Sequence, residues 1–399
     1  MSRKWRVAAL ITPRLWSRQT IKWNTPPDQV NQYLARSKLA LLEVHLLFDM
    51  LSGRCRSFPS SLLIVCRAAE RWGSLSVRII EFDIWGRFTS CFPRSFPSLK
   101  TLSVYFHEGY SIWGPFNPYN AFADGAPILS SISITNICRT FSLPPLASVT
   151  HFIIGRDSLP PVIHFDSLIP IIEGFPNLLY LGIHSNICCD AFTSTSFTLP
   201  SLQTLAIVNA RSPSILLSNI VAPALNHVIL KGVEIFSFRR TLLADHQPTF
   251  PSVTSLSMVA DSAFGTYALR DWIQVVYVFP AITHLELVET DYHPIHEGKT
   301  WFKWKPVLDA LTMLGGPTVV AGELPDQSSF WPNLTSISYQ GRATFKMFID
   351  LLTARAQMKL PIQLLSVSRD LHSQFTSNDT WQHLQKLVQM EVFKPEEIL

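Results

Sequence analysis

Charge is sparse in this chain, glycine sparser, and each shortage removes a class of function. Only 16% of the 399 residues are charged, and the net charge of +4 is small and dispersed. That balance gives no basic stripe for nucleic acid and no polybasic patch for a membrane surface. The 16 glycines form no G-x-x-x-x-G-K-[ST], G-x-G-x-x-G or G-x-S-x-G. A loop that cradles phosphate and a nucleophile elbow therefore have no sequence support. No apolar run approaches the roughly 18 residues that span a bilayer. The longest candidates, around Leu39–Leu51 and Leu62–Cys66, are interrupted or short. The cysteines (Cys55, Cys66, Cys91, Cys138, Cys188 and Cys189) include no C-x-x-C pair and no regular framework. They read as buried thiols in a reducing compartment, cytoplasmic or nuclear. Acids are also missing from the start: Arg3, Lys4, Arg6, Arg14, Arg18 and Lys22 precede the first one, Asp28. A basic, acid-free start is also the pattern of a mitochondrial transit segment, which stands as the alternative address.

Apolar residues, by contrast, make up 47% of the chain, enough for a large core. They fall in a repeated phrase, P-x-φ-x-x-φ-x-φ, with φ apolar. The copies are Pro97/Leu99/Leu102/Val104, Pro127/Leu129/Ile132/Ile134, Pro176/Leu178/Leu181/Ile183 and Pro200/Leu202/Leu205/Ile207. Pro223/Leu225/Val228/Leu230, Pro251/Val253/Leu256/Met258, Pro280/Ile282/Leu285/Leu287 and Pro332/Leu334/Ile337/Tyr339 continue it, and Val149/Phe152/Ile154 has Ala147 in place of proline. Successive prolines lie 30, 49, 24, 23, 28, 29 and 52 residues apart, and Ala147 splits the 49. The last two anchors are two apart, the period of a strand with one buried face. Proline fixes φ and donates no N–H, so it belongs ahead of the strand. One short strand cannot bury its apolar face alone, but stacked neighbours can. The spacing predicts an α/β fold, an irregular leucine-rich-repeat solenoid with parallel strands on the inner face and helices on the outer face. A proline-punctuated β-sandwich is the other architecture with evenly spaced short strands.

Between the strands, helical spacing recurs at Leu168/Ile169/Ile172, Leu269/Trp272/Ile273/Val276, Val307/Leu308/Leu311/Leu314 and Phe345/Phe348/Ile349/Leu352. The third should stop at Gly315-Gly316. Earlier, Thr20–Trp23 reads as a strand, Val30–Ser37 as a helix, Leu41–Phe48 as a strand, Ser57–Ser61 as a loop, Cys66–Trp72 as a short helix and Leu75–Ile80 as the first repeat-like strand. Thr380–Met390 reads as a final helix over the strand near Ile362–Val367. No asparagine ladder follows the strands, since the third residue after the last anchor is Ile137, Ala210 or Val233.

Two insertions break the period and carry aromatic rings. One holds Tyr110, Trp113, Phe116, Tyr119 and Phe122; the other holds Tyr292, Trp301 and Trp304. Such rings either anchor a partner or simply cover the edge of the solenoid. Chemistry is thin elsewhere. His293 and His296 are separated by a proline and lack the His-Glu-x-x-His order of a helical zinc site, and adjacent Cys188-Cys189 have a poor geometry for chelating one ion or for pairing with each other. Asp157, Asp166, Asp245, Glu286 and Glu289 form no acid–base pair legible in sequence. The expectation is a chain without catalysis, metal or cofactor.

The N-terminus adds a resemblance. Arg3-Lys4-Trp5-Arg6, Ala8-Ala9 and Thr12-Pro13-Arg14-Leu15-Trp16 resemble the last helix and exit of an F-box. With Arg71-Trp72-Gly73-Ser74-Leu75-Ser76-Val77 and the Phe-Pro or Leu-Pro repeats, the order from residue 3 to about 368 is most similar to F-box leucine-rich-repeat proteins of mushroom-forming fungi. That resemblance implies residues 1–25 as an F-box remnant, 26–96 as a transition and N-terminal cap, 97–368 as repeats and 369–399 as a helical cap. It implies a substrate receptor of a cullin-type ubiquitin ligase, with Trp5, Leu10, Leu15 and Trp16 toward a Skp-type adaptor and a protein target on the strands. A complete F-box opens with Leu-Pro and two further helices, which carry much of the adaptor contact. None of these precedes Ser2. Either Met1 is an internal methionine of a longer frame, or the chain is a shortened relative: a stand-alone repeat scaffold that no longer binds the adaptor.

Overall fold

The computed structural model describes residues 2–48, 60–79, 91–106, 122, 124–136, 146–155, 162–188, 196–210, 213–233, 250–260, 269–289, 304–312, 330–341, 343–376 and 380–393. They belong to two compact units, residues 1–193 with 199–201, and residues 194–198 with 202–399. The chain is α/β, and fourteen described strands, seven in each unit, stand in parallel ladders.

In the first unit the ladder strands are β1 (Arg18–Lys22), β2 (Leu42–Phe48), β3 (Trp72–Ile79), β4 (Thr101–Phe106), β5 (Ser131–Thr135), β6 (His151–Gly155) and β8 (Tyr180–His184). Short β7 (Val162–His164) pairs separately with β9 (Asn186–Cys188). The anchors stack across it in register: Leu75, Leu102, Ile132, Phe152 and Leu181 form one row, and Val77, Val104, Ile134, Ile154 and Ile183 the next. In the second unit, β10 (Phe197–Thr198) pairs with β12 (Ile220–Val221) beside the main ladder. That ladder runs β11 (Thr204–Val208), β13 (His227–Lys231), β14 (Ser255–Ala260), β15 (His284–Glu289), β16 (Ser336–Gln340), β17 (Leu364–Ser368) and β18 (Gln389–Phe393). Leu205, Val228, Leu256, Leu285, Ile337 and Leu365 align, each buried.

The proline has a defined job. It sits at the second position of a β-turn whose first carbonyl accepts the N–H of the first anchor. Leu99 bonds Phe96 at 3.3 Å, Leu129 bonds Ala126 at 3.1 Å, Val253 bonds Phe250 at 3.3 Å and Leu334 bonds Trp331 at 3.0 Å. A fixed φ near −65° pre-sets that turn position. The residue ahead of the turn is buried every time: Phe96, Ala126, Leu146, Phe175, Leu199, Ala222, Phe250, Phe279 and Trp331. After the strand the chain leaves through a left-handed residue, Asn136 (φ 63°), Asn209 (φ 55°) or Gly232 (φ 57°). Its N–H bonds the end of the next strand: Asn136 to Gly155 at 2.7 Å, Asn209 to Lys231 at 2.8 Å and Gly232 to Val259 at 3.0 Å. Asn and Gly tolerate this conformation best. The position that matters is thus two residues after the last anchor, not three.

Helices form at Arg3–Ile11, Pro27–Ser37, Ser60–Cys66, Phe165–Glu173, Pro213–Asn219, Leu269–Val278, Lys305–Thr312, Phe345–Gln357, Arg369–Thr376 and Thr380–Leu387. In the second unit the helix at 269–278 packs on that at 305–312, which packs on 345–357. They lie on the anchor side, since the Tyr339 ring meets Phe348 edge-on at 5.2 Å. Arg355, fully buried, ties this layer to the turn at Pro332. It donates to the carbonyls of Phe330 (2.8 Å), Trp331 (3.0 Å), Leu334 (3.2 Å) and Leu360 (3.1 Å). In the first unit Arg71 plays a similar part, donating to Ser37 Oγ at 2.6 Å and to the Ala40 carbonyl at 3.1–3.2 Å. It thereby fastens the C-terminal end of the helix at 27–37 to the start of β3.

Several sequence expectations are corrected. The short helix occupies Ser60–Cys66, not Cys66–Trp72, and β3 starts at Trp72, not Leu75. Strands β1 to β3 pair in the same parallel manner as the strands from Pro97 onward, so the ladder begins at Arg18. The last helix ends at Leu387, and Gln389–Phe393 forms a further parallel strand on β17. The described part of the helix starting at Lys305 runs to Thr312, and its expected stop at Gly315-Gly316 falls outside the described residues.

Candidate functional site

A strand that buries alternate residues against helices turns the intervening residues the other way. Stacking in register then makes those intervening residues into rows, so the candidate site is the non-anchor face of each ladder.

In the second unit one row is His227, Ser255, His284 and Ser336, and the next is Ile229, Ser257, Glu286 and Ser338. Their side chains are joined. Ser257, only 1% exposed, donates its hydroxyl to Glu286 Oε2 at 2.5 Å. His227 Nε2 lies 3.0 Å from the same Oγ. Because the single hydroxyl hydrogen is committed to the carboxylate, the imidazole must be the donor, which fixes the Nε2–H tautomer. His284 Nδ1 lies 3.0 Å from Ser336 Oγ. Burial lowers the pKa of both histidines, partly opposed by the Glu286 charge, so both are neutral at pH 7. A nucleophilic serine would need its hydrogen directed at a base and an open path to its oxygen. Ser257 has neither: an imidazole donates to it, a carboxylate holds its hydrogen, and it is buried. The arrangement orients a carboxylate.

In the first unit the corresponding face is rich in short hydroxyl side chains. Ser74, Thr101 and Ser131 share a row, as do Ser76, Ser103 and Ser133, and Thr101 Oγ1 donates to Ser74 Oγ at 2.7 Å. Its larger groups are paired. Arg18 Nε and His45 Nε2 approach Glu43 at 3.6 and 2.8 Å, Arg78 lies 5.1 Å over the Tyr105 ring, and His151 stacks on Tyr180 at 5.8 Å. Glycine makes room there: a Cβ on Gly182 would lie 3.2 Å from both the Tyr180 ring and Ile153. The Tyr180 hydroxyl is buried without a hydrogen bond among the described residues, and desolvation pushes its pKa up to about 12.

The residues expected to meet an adaptor divide into two kinds. Trp5, Leu10 and Leu15 are 72%, 40% and 66% exposed, on a helix and exit with no buried residue. Trp16 instead turns inward. Its Nε1 donates to the Ala9 carbonyl at 2.7 Å, Arg36 lies 4.4 Å over its ring and Tyr33 meets it at 5.6 Å.

Of the aromatic partner candidates, Trp304 is corrected. It is 1% exposed and packs edge-on against Trp272 at 6.1 Å, so it joins two helices as core and offers nothing to a partner. Phe122, in the other insertion, is also buried, 4.8 Å from Phe96. Tyr110, Trp113, Phe116, Tyr119, Tyr292 and Trp301 lie outside the described residues, as do His293 and His296. Among the described residues no group of three or more His, Cys, Asp or Glu could hold a metal ion. No described helix is long and apolar enough to cross a membrane. The His227–Ser257–Glu286 chain was not anticipated, although the repeat alignment already stacked those positions.

No protein-family model matches the chain, and no curated protein matches it.

Proposed function

We propose that this chain is a non-catalytic protein-binding module built as an irregular leucine-rich-repeat solenoid, with the strand rows as its recognition surface. The observation that carries the reading is the in-register stacking of the non-anchor rows, which puts polar side chains from five successive strands, β3 to β6 and β8, side by side. A surface of short hydroxyls with a few larger polar and aromatic groups suits an extended protein segment, which offers both backbone and side-chain partners. The resemblance of Trp5 to Trp16 and of the repeats to F-box receptors adds a role: delivery of the bound protein to a ubiquitin ligase through a Skp-type adaptor. The exposure of Trp5, Leu10 and Leu15 supports it, because a helix of nine residues with none buried needs a partner to be stable. A cytoplasmic or nuclear address goes with that role.

Co-purification of the full chain with recombinant adaptor tests the ligase role. Retention by the native chain, lost in Trp5→Ala/Leu15→Ala with an unchanged melting temperature, supports it. No retention by the native chain leaves the second reading, a stand-alone scaffold, favoured by the inward packing of Trp16. The binding role is tested separately by cross-linking partners to the strand face through a photoreactive residue at Ser103 or Ser133. Cross-links found only when the same group is placed on the helix at 345–357 would overturn it.

A further inference from the structure

We propose that the open strand face of the first unit holds an extended acidic segment of a partner protein, its carboxylates over β1 to β3 and an aromatic residue over β6 and β8. The inference rests on the reading of the strand face as a protein-binding surface and names the kind of segment that the first unit selects.

This face is accessible. Except for Gly155, every described residue that alternates with the anchors on β1 to β6 is exposed or half-buried. Its charge is one-sided. Arg18, Lys22 and Arg78 are exposed on β1 and β3. Glu43 is the single acid on it among the described residues, and Arg18 and His45 already approach that carboxylate at 3.6 and 2.8 Å. Lys22 enters no ion pair among the described residues. It shares a row with Arg78 through Leu47, two ladder steps away and so at a spacing of about 10 Å. Arg78 lies 5.1 Å over the Tyr105 ring. Stacking on a ring steadies a guanidinium without using its in-plane N–H donors, the edge that grips a carboxylate.

The opposite corner offers a different contact. His151 is exposed, and its ring lies beside that of Tyr180 with the two planes within 19° of each other. Such a flat pair suits an aromatic side chain. Between the corners stand the short hydroxyls of Ser76, Ser103, Ser133 and Thr135, each able to donate to or accept from a main chain passing close above. Arg78 and Tyr180 are four ladder steps apart and, through the row that joins Ser74 to Tyr180, four residues apart along the strands. At strand spacing and rise that is about 19 Å by 13 Å, or about 23 Å on the diagonal, which an extended segment covers in about seven residues. Cations at one corner only do not track a phosphate backbone, which needs basic groups along its whole path. They suit a segment that is acidic at one end and aromatic at the other.

The test uses the full chain and fluorescein-labelled pools of twelve-residue peptides, randomised except at fixed positions, with binding read by fluorescence anisotropy. One pool carries glutamate at positions 2 and 4 and phenylalanine at position 11; a second has glutamine in place of the glutamates. The native chain is compared with Lys22→Glu/Arg78→Glu, with Lys346→Glu at an exposed position of the helix at 345–357, and with Ser103→Trp. Each variant is first checked for an unchanged melting temperature. The native chain is expected to bind the glutamate pool about tenfold more tightly than the glutamine pool. Lys22→Glu/Arg78→Glu should lose that preference and Lys346→Glu should keep it. Equal binding of the two pools by the native chain, abolished by Ser103→Trp, overturns the acidic segment and leaves the strand face as the binding surface. A glutamate preference that survives Lys22→Glu/Arg78→Glu overturns it too, as does a single-stranded oligonucleotide that binds the native chain as tightly as the glutamate pool. Binding of neither pool also overturns the acidic segment, and cross-linking from Ser103 or Ser133 then decides whether the face binds protein at all.

Discussion

Arg355 gives the sharpest test of how the helix layer is fastened to the strands. It is a fully buried guanidinium whose four hydrogen bonds all go to main-chain carbonyls, those of Phe330, Trp331, Leu334 and Leu360. Replacing it with methionine keeps the length and most of the volume but removes every donor. Trp331 keeps one bond, because its carbonyl also accepts the N–H of Leu334 at 3.0 Å. Three carbonyls then lose their arginine donor, that of Leu334 from a buried bond and those of Phe330 and Leu360 from part-buried ones. At about 1–1.5 kcal/mol each, the loss is about 3–5 kcal/mol, offset in part because the buried charge, whose pKa desolvation already lowers, disappears with the side chain. Arg355→Met should therefore cost about 2–4 kcal/mol. Arg355→Lys should cost less, since an ammonium can still serve some of the same carbonyls. Global unfolding of a chain with two compact units need not be two-state, so the assay is native-state hydrogen exchange. The amides to follow are those of Leu334, Ser336 and Leu364, which bond Trp331, Thr283 and Thr335. Faster exchange there, by a factor of about 30–1,000, is expected, with amides of the first unit unchanged. Equal protection in Arg355→Met and the native chain would show that the arginine is dispensable and refute the reasoning.

Three further outcomes follow from the ladder. Leu256→Asp puts an unpaired charge at a 0% exposed anchor and should abolish folding of the second unit, whereas Thr254→Asp, at an exposed position just before β14, should shift the melting temperature by only a few degrees. Equal melting temperatures for the two would count against the register. Asn209→Ala forces an alanine into φ 55° and should cost about 1 kcal/mol in denaturant titration, while Asn209→Gly should be close to neutral. The histidines set a pH dependence: their folded pKa values lie below the ordinary 6.5, so the unfolded chain binds more protons and stability should fall as pH drops below about 6.5. A His227→Asn/His284→Asn double variant should show a flatter thermal profile between pH 7.5 and 5, and an unchanged slope would refute the assignment.

What could be read in advance follows from which residues the ladder uses to make itself. Proline ahead of two anchors spaced by two is visible because it is both rare and mechanically required. The turn it initiates, the buried residue before it and the aligned anchors were all accessible from spacing. Strands β1 and β18 lack that lead. β1 buries Gln19 and Ile21, a polar residue among its inward positions, and β18 has no fully buried residue at all. Neither has the apolar signature of a central strand, since an edge strand needs only one neighbour to satisfy its backbone. The C-terminal helix was overextended for a related reason. Val388 continues the period of Leu384 and is buried, so the pattern runs past the point where the backbone becomes extended at Gln389. The place of Trp304 is not legible in sequence, because composition cannot tell a ring that faces a partner from one that faces Trp272.

The candidate site was hidden for a different reason. Its members sit about 30 residues apart, at the positions that the search for apolar anchors discards. Yet the alignment that superposes Val228, Leu256, Leu285 and Ile337 also superposes Ile229, Ser257, Glu286 and Ser338 one residue on, and His227, Ser255, His284 and Ser336 one residue back. In a parallel stack, register is shared by both faces, so every anchor row dictates the rows beside it. A polar residue at such a position is constrained by its neighbours one coil away on either side and not by its neighbours in sequence. That is why Ser257 can bridge His227 and Glu286, and why a change at one of the three should alter the tautomer or rotamer of the others before it alters the fold.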